Sequence, residues 1–150
     1  MSYTTESIRN IALAGHAGSG KTTLFEALLH AGGVIQAQGS VERGTTQSDT
    51  DAQEKARGHS IDSCLAGIDR GDCHINLIDT AGYDDFRGGT LSAFAAVETV
   101  MVVVNAVNGI EHGTRRMMEH ARSRGLARGL VVNKIDYEGA HLGALVEALR

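Results

Sequence analysis

Three short segments of this chain carry the residue types that chemistry on a nucleoside polyphosphate requires. The first is Gly15-His16-Ala17-Gly18-Ser19-Gly20-Lys21-Thr22, which fits G-x-x-x-x-G-K-[ST]. Glycines there let the backbone curl so that successive N–H groups, from His16 through Gly20, turn inward toward phosphate oxygens. A helix opening at Lys21 adds its positive end, so Thr22 and Thr23 join the phosphate-contacting set. Lys21 is the cation for the β- and γ-phosphates and a catalytic candidate. The Thr22 hydroxyl is a hard oxygen ligand suited to Mg²⁺.

The second segment is Asp79-Thr80-Ala81-Gly82, at the end of the apolar run Ile75-Asn76-Leu77-Ile78. A carboxylate at such a strand end holds Mg²⁺, here through water, when a phosphate loop precedes it. Gly82 can offer its N–H to a γ-phosphate with no side chain in the way, which makes it a second catalytic candidate. Ser60, closing the polar stretch Arg57-Gly58-His59-Ser60, is the candidate for a second hydroxyl on the metal. The metal set is therefore Thr22, Ser60 and Asp79. A long segment held by one metal ligand and a γ-phosphate orders with triphosphate and loosens after hydrolysis.

The third segment, Asn133-Lys134-Ile135-Asp136, reads a base. Guanine shows two N–H donors on its Watson–Crick edge, and the Asp136 carboxylate can accept both. Adenine lacks that pair, so an ATP-using enzyme is the weaker alternative. Asn133 suits the N7 edge of the base and the glycine loop, while the Lys134 stem can lie along the purine face. The ligand set is GTP or GDP with Mg²⁺.

These segments need a frame, and the hydrophobic pattern supplies one. Residues 8–14 read as a buried strand and 21–31 as a helix, its apolar face assigned to Leu24, Ala27, Leu28 and Ala31, with Gly32-Gly33 as its stop. Residues 34–59 are polar and aperiodic, which marks a functional or mobile loop. Strands are expected at 61–68 and 73–79 around a turn at 69–72, then at 100–105 and 130–133. Helices are expected at 90–99 and 110–124. Last comes a core-facing stripe of Leu142, Leu145, Val146 and Leu149. Strand–helix alternation implies right-handed crossovers and a mostly parallel α/β sheet covered by helices, with ligands outside the carboxyl ends of the strands. Each of the three segments falls at such an end.

Bulk properties agree with one globular domain. The chain has 150 residues, 42% hydrophobic and 21% charged, in the range of an ordinary packed domain. A net charge of −4 argues against sequence-specific reading of nucleic acid by this segment. No apolar run reaches membrane-span length, and the start Met1-Ser2-Tyr3-Thr4-Thr5-Glu6 has no basic or apolar signal region, so a cytoplasmic setting is expected. Cys64 and Cys73 can form neither a disulfide framework nor a structural zinc site and read as reduced strand residues. The seven histidines show no metal-ligand spacing, and His59 reads as surface or packing.

Together the motifs resemble the translational GTPases, elongation factor G and its paralogues most of all. Arg9-Asn10-Ile11 leading into the His-containing phosphate loop is similar to that family's first strand and P-loop. Residues 45–61, ending Arg-Gly-His-Ser-Ile, resemble its switch I, which usually ends R-G-I-T-I. Residues 79–86 resemble its switch II, usually D-T-P-G-H-x-D-F. The resemblance implies a P-loop GTPase three-layer sandwich with one antiparallel edge strand, GTP hydrolysis, and action on the ribosome through the full-length protein. It implies that Tyr83 stands where a histidine helps to place the attacking water, and Tyr83 is the third catalytic candidate. A tyrosine can orient water but is a poor base near neutral pH. A GTP/GDP-responsive binding module with little hydrolysis is thus the alternative. The family also continues past the segment corresponding to Arg150, with a last guanine-contacting loop and further domains. Residues 1–150 are then expected to be the N-terminal portion of the GTP-binding domain, with no second domain in this chain.

Overall fold

The computed structural model describes residues 3–150; Met1 and Ser2, which open the stretch expected to carry no signal region, lie outside the described residues. Strand β1 (Ile8–Ala14) leads through the glycine loop into helix α1 (Lys21–Ala31). Helix α2 (Ala52–Arg57) precedes the hairpin of β2 (Cys64–Arg70) and β3 (Cys73–Asp79). Helix α3 (Arg87–Ala93), strand β4 (Thr99–Asn105), helix α4 (His112–Ser123), strand β5 (Ala127–Asn133) and helix α5 (Leu142–Leu149) complete the order. The sheet runs β2-β3-β1-β4-β5, with β2 antiparallel at one edge and every other pairing parallel. This is the mixed α/β sheet expected from the alternation.

Side-chain alternation along β1 divides the core. Ala12 and Ala14 face Phe94, Val97, Val100, Val102, Met117 and Ala121, under α3 and α4. Leu13 faces the other way, onto Phe25, Leu29, Ile68 and Leu77, under α1. Each fully buried Phe or Leu contributes about 1.5–3 kcal/mol by leaving water. The α1 face therefore differs from the expected one. Phe25 and Leu29 are buried, whereas Leu28 is 38% exposed and Ala31 is on the surface. Two i, i+4 apolar pairs compete on this helix, and the sheet takes the bulkier. Both cysteines are free and half-buried in the hairpin.

The long polar segment is ordered by three buried carboxylates. Glu26 on α1 accepts from the Gly39 and Gln47 amides at 2.9 and 2.6 Å. Asp49 accepts from the Thr46 and Ser60 hydroxyls. Glu54 accepts from the Asp51, Ile61 and Asp62 amides at 3.1, 2.9 and 3.2 Å. Within it lies α2, where the Asp51 side chain and Glu54 cap one another reciprocally in a capping box.

Other differences are at element ends. The first hairpin strand begins at Cys64 rather than residue 61 and runs to Arg70, leaving a two-residue turn in which Gly71 has φ +58°. The helix expected at 90–99 lies at Arg87–Ala93. Strand β5 begins three residues before residue 130. On α5 only Leu145 of the expected stripe is buried; Leu142 and Val146 are 42% and 44% exposed. Among the described residues, no helix is long and apolar enough to cross a membrane.

Candidate functional site

The carboxyl ends of β1, β3, β4 and β5 meet the start of α1. There lies a cleft lined by Ala17, Gly18, Gly20, Lys21, Thr22 and Thr23 from the loop and helix. Ser60, Gly82, Tyr83 and Lys134 reach the same cleft. Tight backbone geometry builds the loop. Gly15, Gly18 and Gly20 have φ of +138°, +74° and +92°, which a β-carbon would strain, and a β-carbon on Gly15 would also overlap the Val103 backbone.

Lys21 is buried, and its ammonium donates to the His16 carbonyl at 2.9 Å, curling the side chain over the loop. Burial pushes it down to about 8, against the opposing pull of Asp79 and Glu111. Asp79, 1% exposed, is pushed up to about 6 by burial, against the Thr22 hydrogen bond and the Lys21 charge. Buried groups pushed toward neutrality, by burial and for Asp79 also by the Asp49 charge, suit a ligand with charges of its own: phosphate oxygens for Lys21 and a divalent cation for Asp79.

Thr22, Ser60 and Asp79 come together from three separate segments. The Thr22 hydroxyl donates to Asp79 Oδ2 at 2.7 Å and lies 3.2 Å from the Ser60 hydroxyl. Ser60 in turn donates to Asp49 Oδ1 at 2.7 Å. The other Asp79 oxygen, Oδ1, is buried without a partner among the described residues, as are Ser19 Oγ and His59 Nδ1. Two hydroxyls and a carboxylate with a spare buried oxygen form a hard, all-oxygen donor set, which fits Mg²⁺. A β-carbon on Gly82 would overlap the Lys21 ammonium and approach the Ala17 backbone at 2.9 Å, so the second switch-like segment lies directly against the loop. Thr80 anchors that segment by donating to the Leu13 carbonyl at 2.8 Å.

At the end of β5, Asn133 Nδ2 donates to the Ser19 carbonyl at 3.0 Å, and its Oδ1 accepts from the Lys134 amide at 2.9 Å. The side chain therefore ties β5 to the phosphate loop. Lys134 has φ +59° and its ammonium sits 5.6 Å from the Tyr137 ring centroid. Asp136, two residues farther on, is exposed and does not line the cleft; neither do His16, Ser19, Asp79 or Asn133 themselves. The His16 ring lies 3.6 Å from Glu111 and packs on Gly113. Tyr83 is 47% exposed, its ring 4.5 Å from that of His59.

Four lining residues escape the motif reading besides Thr80: Val41, Glu42, Gly58 and His59. Val41 and Glu42 are brought in by long-range loop folding that no local pattern signals. His59 has a signal, its place beside Ser60. Asp49 has only its carboxylate.

A strand–glycine loop–helix unit with buried lysine, hydroxyls and carboxylate at the sheet's carboxyl edge defines a P-loop nucleotide-binding protein. Residues 6–150 match the profile of the family described as elongation factor Tu GTP binding domain, and the chain belongs to that family of translational GTPases. It is 35% identical over 143 residues to the tetracycline resistance protein TetW of Butyrivibrio fibrisolvens, covering 95% of this chain and 22% of that protein. It is 35% identical over 134 residues to an elongation factor G-like protein of Mycobacterium tuberculosis, covering 89% of this chain and 19% of the relative. A crystal structure of a Thermus thermophilus protein superposes with a TM-score of 0.92 at 40% identity, over 96% of this chain and 22% of that one. The chain thus spans about a fifth of the length of these relatives.

Proposed function

We propose that this chain is the N-terminal portion of a GTP-binding domain that takes GTP or GDP with Mg²⁺, hydrolyses GTP, and serves as the switch of an elongation factor G-like factor acting on the ribosome in the cytoplasm. The observation that carries the reading is the meeting of Thr22, Ser60 and Asp79 beside Lys21 and Gly82. The loop amides and Lys21 hold the β- and γ-phosphates, and Gly82 presents its N–H at the γ-phosphate end. Thr22, Ser60 and Asp79 would hold Mg²⁺, which when bound neutralises charge on the β- and γ-phosphate oxygens. Ser60 comes from the long polar segment, so loss of the γ-phosphate would free the Ser60 end of that segment, while Glu26, Asp49 and Glu54 still hold the rest. Tyr83 stands at the mouth with a hydroxyl able to orient water. Asn133, Lys134 and Asp136 take the guanine.

The test is GTP turnover by the full-length protein with and without ribosomes, beside direct measurement of GTP binding. Stimulated turnover is expected. GTP binding with no turnover in either condition would sink the hydrolytic reading and leave the second one, a nucleotide-responsive binding module, which the half-exposed phenol of Tyr83 favours.

A further inference from the structure

One buried polar atom at the cleft has no task in the reading above. His59 Nδ1 is buried and has no hydrogen-bond partner among the described residues, although the residue lines the nucleotide cleft. Such an atom costs about 1–3 kcal/mol when left unsatisfied, so its persistence needs a reason. Its ring packs against two aromatic neighbours. The Tyr83 ring lies 4.5 Å away at 47° and the Phe86 ring 6.0 Å away at 36°. These tilted contacts fix the plane of the imidazole and hence the direction of its nitrogen lone pair. The next residue, Ser60, reaches Thr22, and Tyr83 follows Gly82, which abuts the Lys21 ammonium. His59 therefore belongs to the segment that carries Ser60 and meets the segment that carries Gly82, where both approach the loop.

Resting on the hydrolytic reading, we infer that His59 is the residue that positions the attacking water, with Tyr83 presenting its ring. Hydrolysis needs a water held in line with the bond to be broken, and orientation with charge stabilisation does most of the catalysis. The imidazole with its proton on Nε2 accepts one hydrogen bond at Nδ1 in a fixed direction, turning the water's lone pair toward phosphorus. The water oxygen then bonds to the γ-phosphorus as the bond from phosphorus to the β,γ-bridging oxygen breaks. The bonding electron pair leaves on GDP. The water's proton passes to a γ-phosphate oxygen, giving dihydrogen phosphate, and His59 ends in the state in which it began. The Tyr83 phenol is 47% exposed, whereas the His59 nitrogen is buried in a ring that packs against two others, which makes it the better director.

The experiment is single-turnover GTP hydrolysis by the full-length protein with ribosomes, with GTP affinity measured separately, for the wild type, His59→Leu and His59→Asn. Leucine keeps bulk and removes the acceptor; asparagine places an amide oxygen near the Nδ1 position. Expected is a roughly 100-fold slower step for His59→Leu at unchanged GTP affinity, with a clear recovery in His59→Asn. Wild-type rates in His59→Leu, or an asparagine variant as slow as the leucine one, would overturn the assignment. Loss of GTP binding in both variants would place His59 in loop folding and overturn it equally. Absence of turnover in the wild type would instead bring down the hydrolytic reading itself, and this inference with it.

Discussion

The Thr22 hydroxyl donates to Asp79 Oδ2 at 2.7 Å, joining the first turn of α1 to the last residue of β3. Their separation of 57 positions is closed by the parallel pairing of β1 with β3, which runs in register from Ile8 with His74 to Leu13 with Asp79. The phosphate loop and the carboxylate thus leave adjacent strands at the same level. If the pair holds Mg²⁺, Thr22→Ala will remove the metal-dependent part of GTP affinity, at least ~10-fold, while Thr22→Ser keeps it. GTP binding measured across a Mg²⁺ titration, with a chelator as the zero point, reads this directly. A Thr22→Ala protein with the wild-type Mg²⁺ response would refute the assignment.

Asp136 is exposed at the end of the Asn133–Lys134 corner, where a carboxylate can receive the two donors of guanine. Asp136→Asn replaces one acceptor with a donor. GTP affinity should fall roughly 100-fold, since hydrogen bonds to charged groups contribute about 1.5–3 kcal/mol. Xanthosine triphosphate, which carries a carbonyl where guanine has its amino group, should bind the variant better than the wild type. Competition between the two nucleotides on both proteins decides it; an unchanged preference would remove Asp136 from base reading.

The glycine loop is legible in the sequence because its tight backbone requires glycines at fixed spacing, which mark it without help from distant residues. Strands β1 and β3 and helix α1 are legible for a related reason, since turn residues punctuate both ends. Helix α2 escapes the sequence reading although Asp51-Ala52-Gln53-Glu54 carries the capping pattern, because six residues give no periodicity. Which of two apolar pairs on α1 turns inward is decided by the sheet beneath it, not by the helix. The carboxylates Glu26, Asp49 and Glu54 act across long sequence distances, and nothing local separates them from surface acids. His59 reads as packing, and in part it is. Only the structure shows its unpaired nitrogen at the cleft.

Glu54 is 3% exposed and holds three backbone amides, at Asp51, Ile61 and Asp62. Two of those amides lie just beyond Ser60, so this carboxylate sets where that hydroxyl arrives. Glu54→Ala leaves all three donors seeking water, and the local cost is about 1–3 kcal/mol. The 49–62 segment should then open first. Faster amide exchange at Ile61 and Asp62, and faster tryptic cleavage after Lys55 or Arg57, are the expected signs, with the sheet unaffected. Unchanged exchange at those two amides would show that the segment is held by something else.

Glu98 offers a pH-dependent fastening far from the cleft. Its carboxylate accepts from the Asn10 amide at 2.6 Å and from Asn10 Nδ2 at 3.0 Å, tying the start of β1 to the turn before β4. Partial burial raises the Glu98 carboxyl, but the Asn10 bonds outweigh it and the net shift is downward. A carboxyl lower in the folded state than in the unfolded one stabilises above its unfolded value, and that contribution fades as pH falls through the folded value. The pair is solvent-exposed, so screening keeps the effect to about 1 kcal/mol or less. Glu98→Gln should therefore be slightly less stable than the wild type at neutral pH, with the gap closing in acid below the ordinary carboxylate range. Denaturant midpoints for both proteins at matched pH test the sign; a gap that widens in acid would contradict it.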